Sequence, residues 1–161
     1  MGQNSPMPES RERTEEGRAP EGTQAEGSTA APAELDDRVR LALHAAGEKK
    51  AHDLVVLDLR EVASFTDYFV IASGTNVRQV QAIADEVQEQ LRKQLRVRPA
   101  RVEGYNSAEW VLLDYGDFIL HVFEEKARRF YDLERLWRDA ARLELPPELR
   151  GPAEGSLTQG E

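Results

Sequence analysis

Apolar residues recur at helical spacing at Leu35, Val39, Ala42 and Ala46, so a first helix is expected there. Asp36 and Asp37 fall in its first turn, where carboxylates suit the positive end of the helix dipole. Gly47 stands where a glycine would close the helix. The period then changes. Residues 53–59 (D-L-V-V-L-D-L) and 67–73 (D-Y-F-V-I-A-S) are short, nearly continuous apolar runs, the mark of strands covered on both faces. Gly74-Thr75-Asn76 breaks the second run and offers a helix N-cap. Val77, Val80, Ala84, Val87, Leu91 and Leu95 then predict a long amphipathic helix, which Pro99 bounds. A short strand is expected near 100–103.

Residues 103–137 carry the clearest pattern. If Gly116-Asp117 forms a two-residue turn, Tyr115 faces Phe118, Leu113 faces Leu120 and Val111 faces Val122. The other face of that hairpin pairs Trp110 with Phe123, Leu112 with His121 and Asp114 with Ile119. A hairpin apolar on both sides belongs inside a sheet with helices packed against it. A last helix is expected to carry Phe130, Leu133, Leu136 and Trp137. The order α-β-β-α-β-β-β-α describes a mixed-sheet α/β domain without internal repeats.

Composition sets the limits of that domain. Residues 1–33 hold six Glu, three Arg, four Pro and four Gly with almost nothing large and apolar, so they are expected to form a disordered acidic tail. Residues 146–161 repeat that composition and are expected to form a disordered C-terminal tail. The folded unit is then 34–145. Of the net charge of −9, the tails carry −3 and −2, leaving −4 on the core. A protein that grips nucleic acid through phosphates usually shows a basic face. Here the one local cluster is five basic residues between Arg92 and Arg101, so no direct specific nucleic-acid binding is expected and a basic protein partner fits better. The absence of Cys excludes disulfides, zinc–thiolate sites and a cysteine nucleophile. No apolar run approaches the ~18 residues of a membrane span. The N-terminus lacks the apolar region of a signal peptide and is too acidic for a transit peptide, so a cytoplasmic location is expected.

Candidate chemistry is sparse. Ser73-Gly74-Thr75-Asn76 has the strand–turn–helix form of a phosphate cradle but lacks the Lys and glycine spacing of a P-loop, and reads first as a capped turn. Asp58, Asp67, Asp114 and Asp117 sit at strand ends, yet none form the converging pairs that Mg²⁺ chemistry needs. His44, His52 and His121 lack ligand spacing, and His121 reads as a buried structural histidine rather than a general base. No catalytic, metal or cofactor-binding set is therefore expected. Trp137 lies on the apolar stripe of the last helix, a core position. Trp110 begins a strand beside a polar corner, where core packing and an aromatic anchor for a partner are both open.

Several segments together resemble one family. S-F-T-D-Y-F-V-I-A-S-G-T (64–75), E-G-Y-N-S-A-E-W-V-L-L-D-Y-G-D (103–117), H-V-F (121–123) and R-R-F-Y-D-L-E-R-L-W (128–137) are similar to the Iojap family, the bacterial ribosomal silencing factors (RsfS). The likeness spans about residues 35–140, in order and at family spacing. Residues 1–33 lie outside the family pattern, and Asn76 stands where Ser is commoner. The resemblance implies a nucleotidyltransferase-like fold without that superfamily's catalytic signature. It also implies binding to the large ribosomal subunit through a basic ribosomal protein of the inter-subunit face, the one numbered fourteen. That contact would block subunit joining and repress translation when nutrients are short. It implies a homodimer, and a ribosome-facing surface at Glu103, Asn106, Trp110, Asp114, Tyr115 and Asp117. The alternative is a nucleotide-acting enzyme that uses the strand-end carboxylates.

A chain starting near Glu34 is expected to keep its melting temperature within a few degrees and its large-subunit binding intact. Thermal denaturation followed by circular dichroism, with a binding assay beside it, checks this; a large loss of either would make residues 1–33 structural.

Overall fold

The computed structural model describes residues 35–151. The expectations for residues 1–33 and 152–161 fall outside them. Helix α1 runs over Asp37–Glu48, with Asp36 as its N-cap accepting from the Arg38 amide at 2.7 Å. Gly47 is inside this helix rather than past it. The chain turns instead through Lys49 and Lys50, the latter in the left-handed region at φ 69°. Strands β1 (His52–Asp58) and β2 (Tyr68–Gly74) form at the two apolar runs and pair antiparallel. Asn76 caps α2 (Val77–Gln90) by accepting from the Gln79 amide at 2.9 Å. The helix then widens into a π-helical turn over Leu91–Leu95 and stops at Arg96, whose φ of 59° no helix continues.

Strands β3 (Arg101–Glu103), β4 (Trp110–Asp114) and β5 (Phe118–Glu124) follow. The β4–β5 register joins Trp110 to Phe123, Val111 to Val122, Leu112 to His121, Leu113 to Leu120 and Asp114 to Ile119, as the turn at Gly116-Asp117 requires. Gly116 holds φ 88° in that turn, a conformation that suits glycine. The expected last helix is two pieces, α3 (Glu125–Tyr131) and α4 (Leu133–Leu136), because Asp132 between them takes φ 51°. A two-residue strand β6 (Ala141–Arg142) then pairs with β1. The six strands lie in the order β3-β4-β5-β2-β1-β6, a mixed sheet in which only β2 and β5 run parallel. The α/β architecture agrees with the sequence reading. No helix among the described residues is long and apolar enough to cross a membrane.

Because strand side chains alternate, the sheet has two apolar faces. One, built on Val56, Val70, Leu113, Phe118 and Leu120, packs under α1 and α2 through Val39, Leu43, Val80, Ile83 and Val87. The folded part also passes the expected end at 145. Pro147–Leu149 forms a 3₁₀ turn that buries Leu149, together with Leu145, in the core shared with α1. A leucine pair four residues apart around two prolines is enough to dock a segment whose composition otherwise suits a tail. Leu149→Ala is expected to lower stability by about 2 kcal/mol, read as a shift in the urea midpoint at unchanged slope. A wild-type midpoint would mean this turn does not cover the core.

Candidate functional site

The two sheet faces are covered unequally. Opposite α1 and α2, the face made by Val55, Leu57, Phe69, Ile71, Ile119 and Phe123 meets only two helices, α3 and α4, which contribute Ala127 and Leu133 to its cluster, with Ala63, Trp137 and Ala140 of the flanking loops beside them. Helices of 7 and 4 residues are too short to cover a six-stranded sheet. Large apolar side chains therefore stay in solvent: Phe130 is 80 % exposed, Leu136 73 %, Phe65 57 % and Tyr131 44 %. The exposed Phe65 and Tyr131 rings are joined through half-buried Trp137 and Trp110 and buried Phe69 and His121. Phe65 meets Trp137 at 5.9 Å between centroids and Trp137 meets Phe69 at 5.6 Å. Phe69 meets His121 at 4.4 Å, and Trp110 lies 5.9 Å from His121 and 4.7 Å from Tyr131. Exposed apolar area of this kind marks an interaction surface.

Trp110 is fixed from two sides. Its ring lies 4.9 Å from Phe123, its cross-strand partner, and its Nε1–H donates to His121 Nδ1 at 3.0 Å. A nitrogen that accepts a hydrogen bond carries no proton, so His121 is neutral. Burial pushes its pKa down to about 3. His121 is thus the structural residue the sequence suggests, and it orients the tryptophan. Backbone geometry holds the strand entrance too. Gly104, at φ 80°, lies so close to the Trp110 carbonyl oxygen that a Cβ there would collide with it. The Tyr105 hydroxyl donates to Asp85 of α2 at 3.0 Å, which ties this corner to the helix layer.

The expected partner-facing residues divide by position. Antiparallel pairing puts Glu103 opposite Leu112 and Arg101 opposite Asp114, so Glu103, Trp110, Leu112 and Asp114 share the thinly covered face. Arg101 bridges the two acids, donating to Glu103 at 2.8 Å and to Asp114 at 3.2 Å. Asn106 is exposed in the corner that leads into β4. Tyr115 does not belong to this set. It points under the α1–α2 layer and stacks on Phe118 at 4.8 Å, and burial pushes its phenol up to about 12. Its side chain follows strand alternation, one residue past Asp114. Asp117 is exposed in the turn but accepts from Arg38 of α1 at 2.7 Å, so it faces the helix layer instead. Sequence reasoning passed over Leu112, Tyr131 and Phe65. The alternation from Trp110 marks Leu112, whereas Phe65 sits between elements and carries no periodic signal.

The other candidates are engaged locally. At the start of α2, the Thr75 amide donates to Gln79 Oε1 at 2.6 Å and the Gln79 amide to Asn76 Oδ1, so side chains of the chain itself occupy the place of a phosphate. Asp58 pairs with Arg60 at 2.8 Å. Among the described residues no three His, Asp or Glu side chains are grouped to hold a metal ion. Fully buried His52 sets Nε2 2.8 Å from Glu125 at the start of α3. Beside it, Arg128 reaches inward to the Asp53 carbonyl at 2.7 Å and the Ser73 hydroxyl at 2.8 Å, and grips Glu134 at 2.6 Å. Burial works against the Glu134 charge, but the Arg128 hydrogen bond holds its carboxyl below the usual range.

Comparison with known proteins is consistent in one direction. The family model described as ribosomal silencing factor during starvation matches residues 32–159. A ribosomal silencing factor of Halalkalibacterium halodurans is 41 % identical over 107 residues, covering 66 % of this chain and 91 % of that protein. One from Bacillus subtilis is 38 % identical over 107 residues, covering 66 % and 90 %. More distantly, a mouse protein named for mitochondrial assembly of the ribosomal large subunit is 31 % identical over 93 residues, covering 56 % and 40 %. A crystal structure from Chromobacterium violaceum superimposes with a TM-score of 0.62 at 34 % identity, covering 75 % of this chain and 96 % of that one.

The neutral His121 has a pH consequence. Its pKa falls from the usual 6.5 to about 3 on folding, so between those values the unfolded chain binds a proton that the folded chain refuses. The contribution is complete above pH 6.5 and is lost as pH falls toward 3. His121→Gln can still accept from Trp110 but cannot titrate. Its drop in urea midpoint between pH 7 and pH 5 is expected to be smaller than the wild-type drop; equal drops would show that the ring is not held neutral.

Proposed function

Because the chain belongs to the ribosomal silencing factor family, we propose that it binds the large ribosomal subunit on the face that meets the small subunit and represses translation by keeping the two apart. The contact is with a basic ribosomal protein of that face, the one numbered fourteen, and it operates when nutrients are limited. The protein works sterically, as a homodimer in the cytoplasm, and no reaction is part of its role. The observation that carries this reading is half-buried Trp110, held by His121 and Phe123 beside the exposed Tyr131 ring, with Glu103 and Asp114 on the same face. A pre-positioned aromatic side chain loses little freedom on binding, and central aromatics dominate interface energies. Acidic residues beside it suit a basic partner and act chiefly on the association rate. The names of the relatives, which point to ribosome silencing and to large-subunit assembly, support the same partner.

Purified large subunits provide the test, through co-sedimentation and through the block of subunit joining in a sucrose gradient. Trp110→Glu is expected to weaken binding by at least ~2 kcal/mol, about thirty-fold. Asp114→Asn, nearer the rim, is expected to lose less and mainly in association rate. Circular dichroism first establishes that the Glu variant is folded, since Trp110 also packs on Phe123. A folded Trp110→Glu protein that still binds at wild-type affinity and still blocks joining would place the interface elsewhere.

A further inference from the structure

In a chain of net charge −9, positive charge collects at one place. A hollow of about 360 Å³ at the end of α2 is lined by Arg92, Lys93, Arg96 and Arg98. The local acid, Glu89, is shared by Arg92 and Lys93 at 3.1 and 3.0 Å. Arg96 and Arg98 make no ion pair among the described residues. Arg92 and Arg98 also line the adjoining hollow with Asp85 and Glu89, and four cations against these two carboxylates still leave a net positive spot. The backbone holds it in place: Arg96 is fixed at φ 59°, the Val97 amide donates to the Leu91 carbonyl at 3.2 Å, and the Ala100 amide to the Asp114 carbonyl at 2.7 Å.

The hollow lies on the α2 side of the sheet edge, across β3 from the face already assigned to the ribosome. Arg98 is three residues before Arg101 in β3, at most about 10 Å along the chain, and Arg101 bonds Glu103 and Asp114 of that face. We propose that Arg96 and Arg98, with Arg92 and Lys93, hold backbone phosphates of large-subunit RNA beside the protein contact. This rests on the ribosome-binding reading and adds a second component to it. A basic protein neighbour would be repelled by this hollow, whereas a phosphate fits its charge and the fork of an arginine. The contact reads no base sequence, and the acidity of the rest of the chain keeps affinity for free RNA low. Docking through Trp110 supplies the high local concentration that a weak phosphate contact needs.

The doubly substituted Arg96→Gln/Arg98→Gln protein tests this, because both side chains are exposed and neither supports the core. Binding to purified large subunits is measured over a salt series, and binding to the isolated ribosomal protein numbered fourteen beside it. The double variant is expected to bind subunits about ten-fold more weakly near 0.1 M salt, with the slope of log K against log salt reduced by about 1.5. Its affinity for the isolated protein is expected to be unchanged, while Trp110→Glu loses both. Wild-type subunit affinity and slope in the double variant would overturn the phosphate site and leave the ribosome reading standing. Loss of the isolated-protein contact in the double variant would make the cluster a protein contact and also overturn it. Wild-type protein that binds neither subunits nor the isolated protein would overturn both.

Discussion

The parallel ladder between β2 and β5 is the constraint on which the rest of this fold depends. It pairs seven residues of each strand, from Tyr68 with Phe118 to Gly74 with Glu124. Two strands can run parallel only if the chain between them returns to the same end, and here that return contains α2, β3 and β4. Both partners are apolar on both sides, so the ladder is stable only when each face is covered. The hairpin turn is tied to the start of β2 at the same time. The Asp117 carbonyl accepts from the amides of Asp67 and Tyr68 at 2.9 and 3.3 Å, and Thr66 donates to the Gly116 carbonyl at 2.8 Å. These bonds set the β4–β5 hairpin, and with it Trp110, at a fixed height on the sheet.

Cover on the two faces then follows from helix length. Helices α1 and α2 have 12 and 14 residues, long enough to close one side. The other side receives two short helices broken at Asp132, and apolar contact alone does not position them firmly. The Arg128 guanidinium compensates by bonding the Asp53 carbonyl, Ser73 and Glu134 together. A partly buried ion pair of this type adds little net stability because both charges lose water. It does specify geometry, since any displacement of α3 separates Arg128 from the Asp53 carbonyl, Ser73 and Glu134 at once. The half-covered face is therefore a rigid surface with exposed rings rather than a loosened core.

Much of this was legible in the residues, and the rest was hidden for identifiable reasons. The β4–β5 register followed from a two-residue turn at Gly116-Asp117, because the strand period of two leaves no freedom once the turn is set. The Asn76 cap and the apolar stripe of α2 were visible for the same local reason. Gly47 misled because a glycine can also sit within the last turn of a helix when Lys50 takes the left-handed position. The break at Asp132 was invisible because the apolar spacing of Phe130, Leu133 and Leu136 suits one helix, although Phe130 and Leu136 remain exposed. Strand β6 has two residues, too few for any period. For the candidate site, alternation separates Trp110 and Asp114 from Tyr115, so that division was available from the hairpin itself. The commitment of Asp117 to Arg38 was not, because the two are 79 residues apart.

That commitment changes the electrostatic picture of the surface. Counting carboxylates would make Glu103, Asp114 and Asp117 three free attractors for a basic partner. In the fold each has an arginine: Arg101 serves the first two and Arg38 the third. A partner cation that approaches must displace an internal cation or share the carboxylate with it, and exposed pairs of this kind contribute little in either state. Net attraction near the Trp110 face is thus weaker than the acidic sequence suggests. Affinity must come mainly from desolvating Trp110, Leu112, Tyr131 and their neighbours, with charge steering the encounter over longer range.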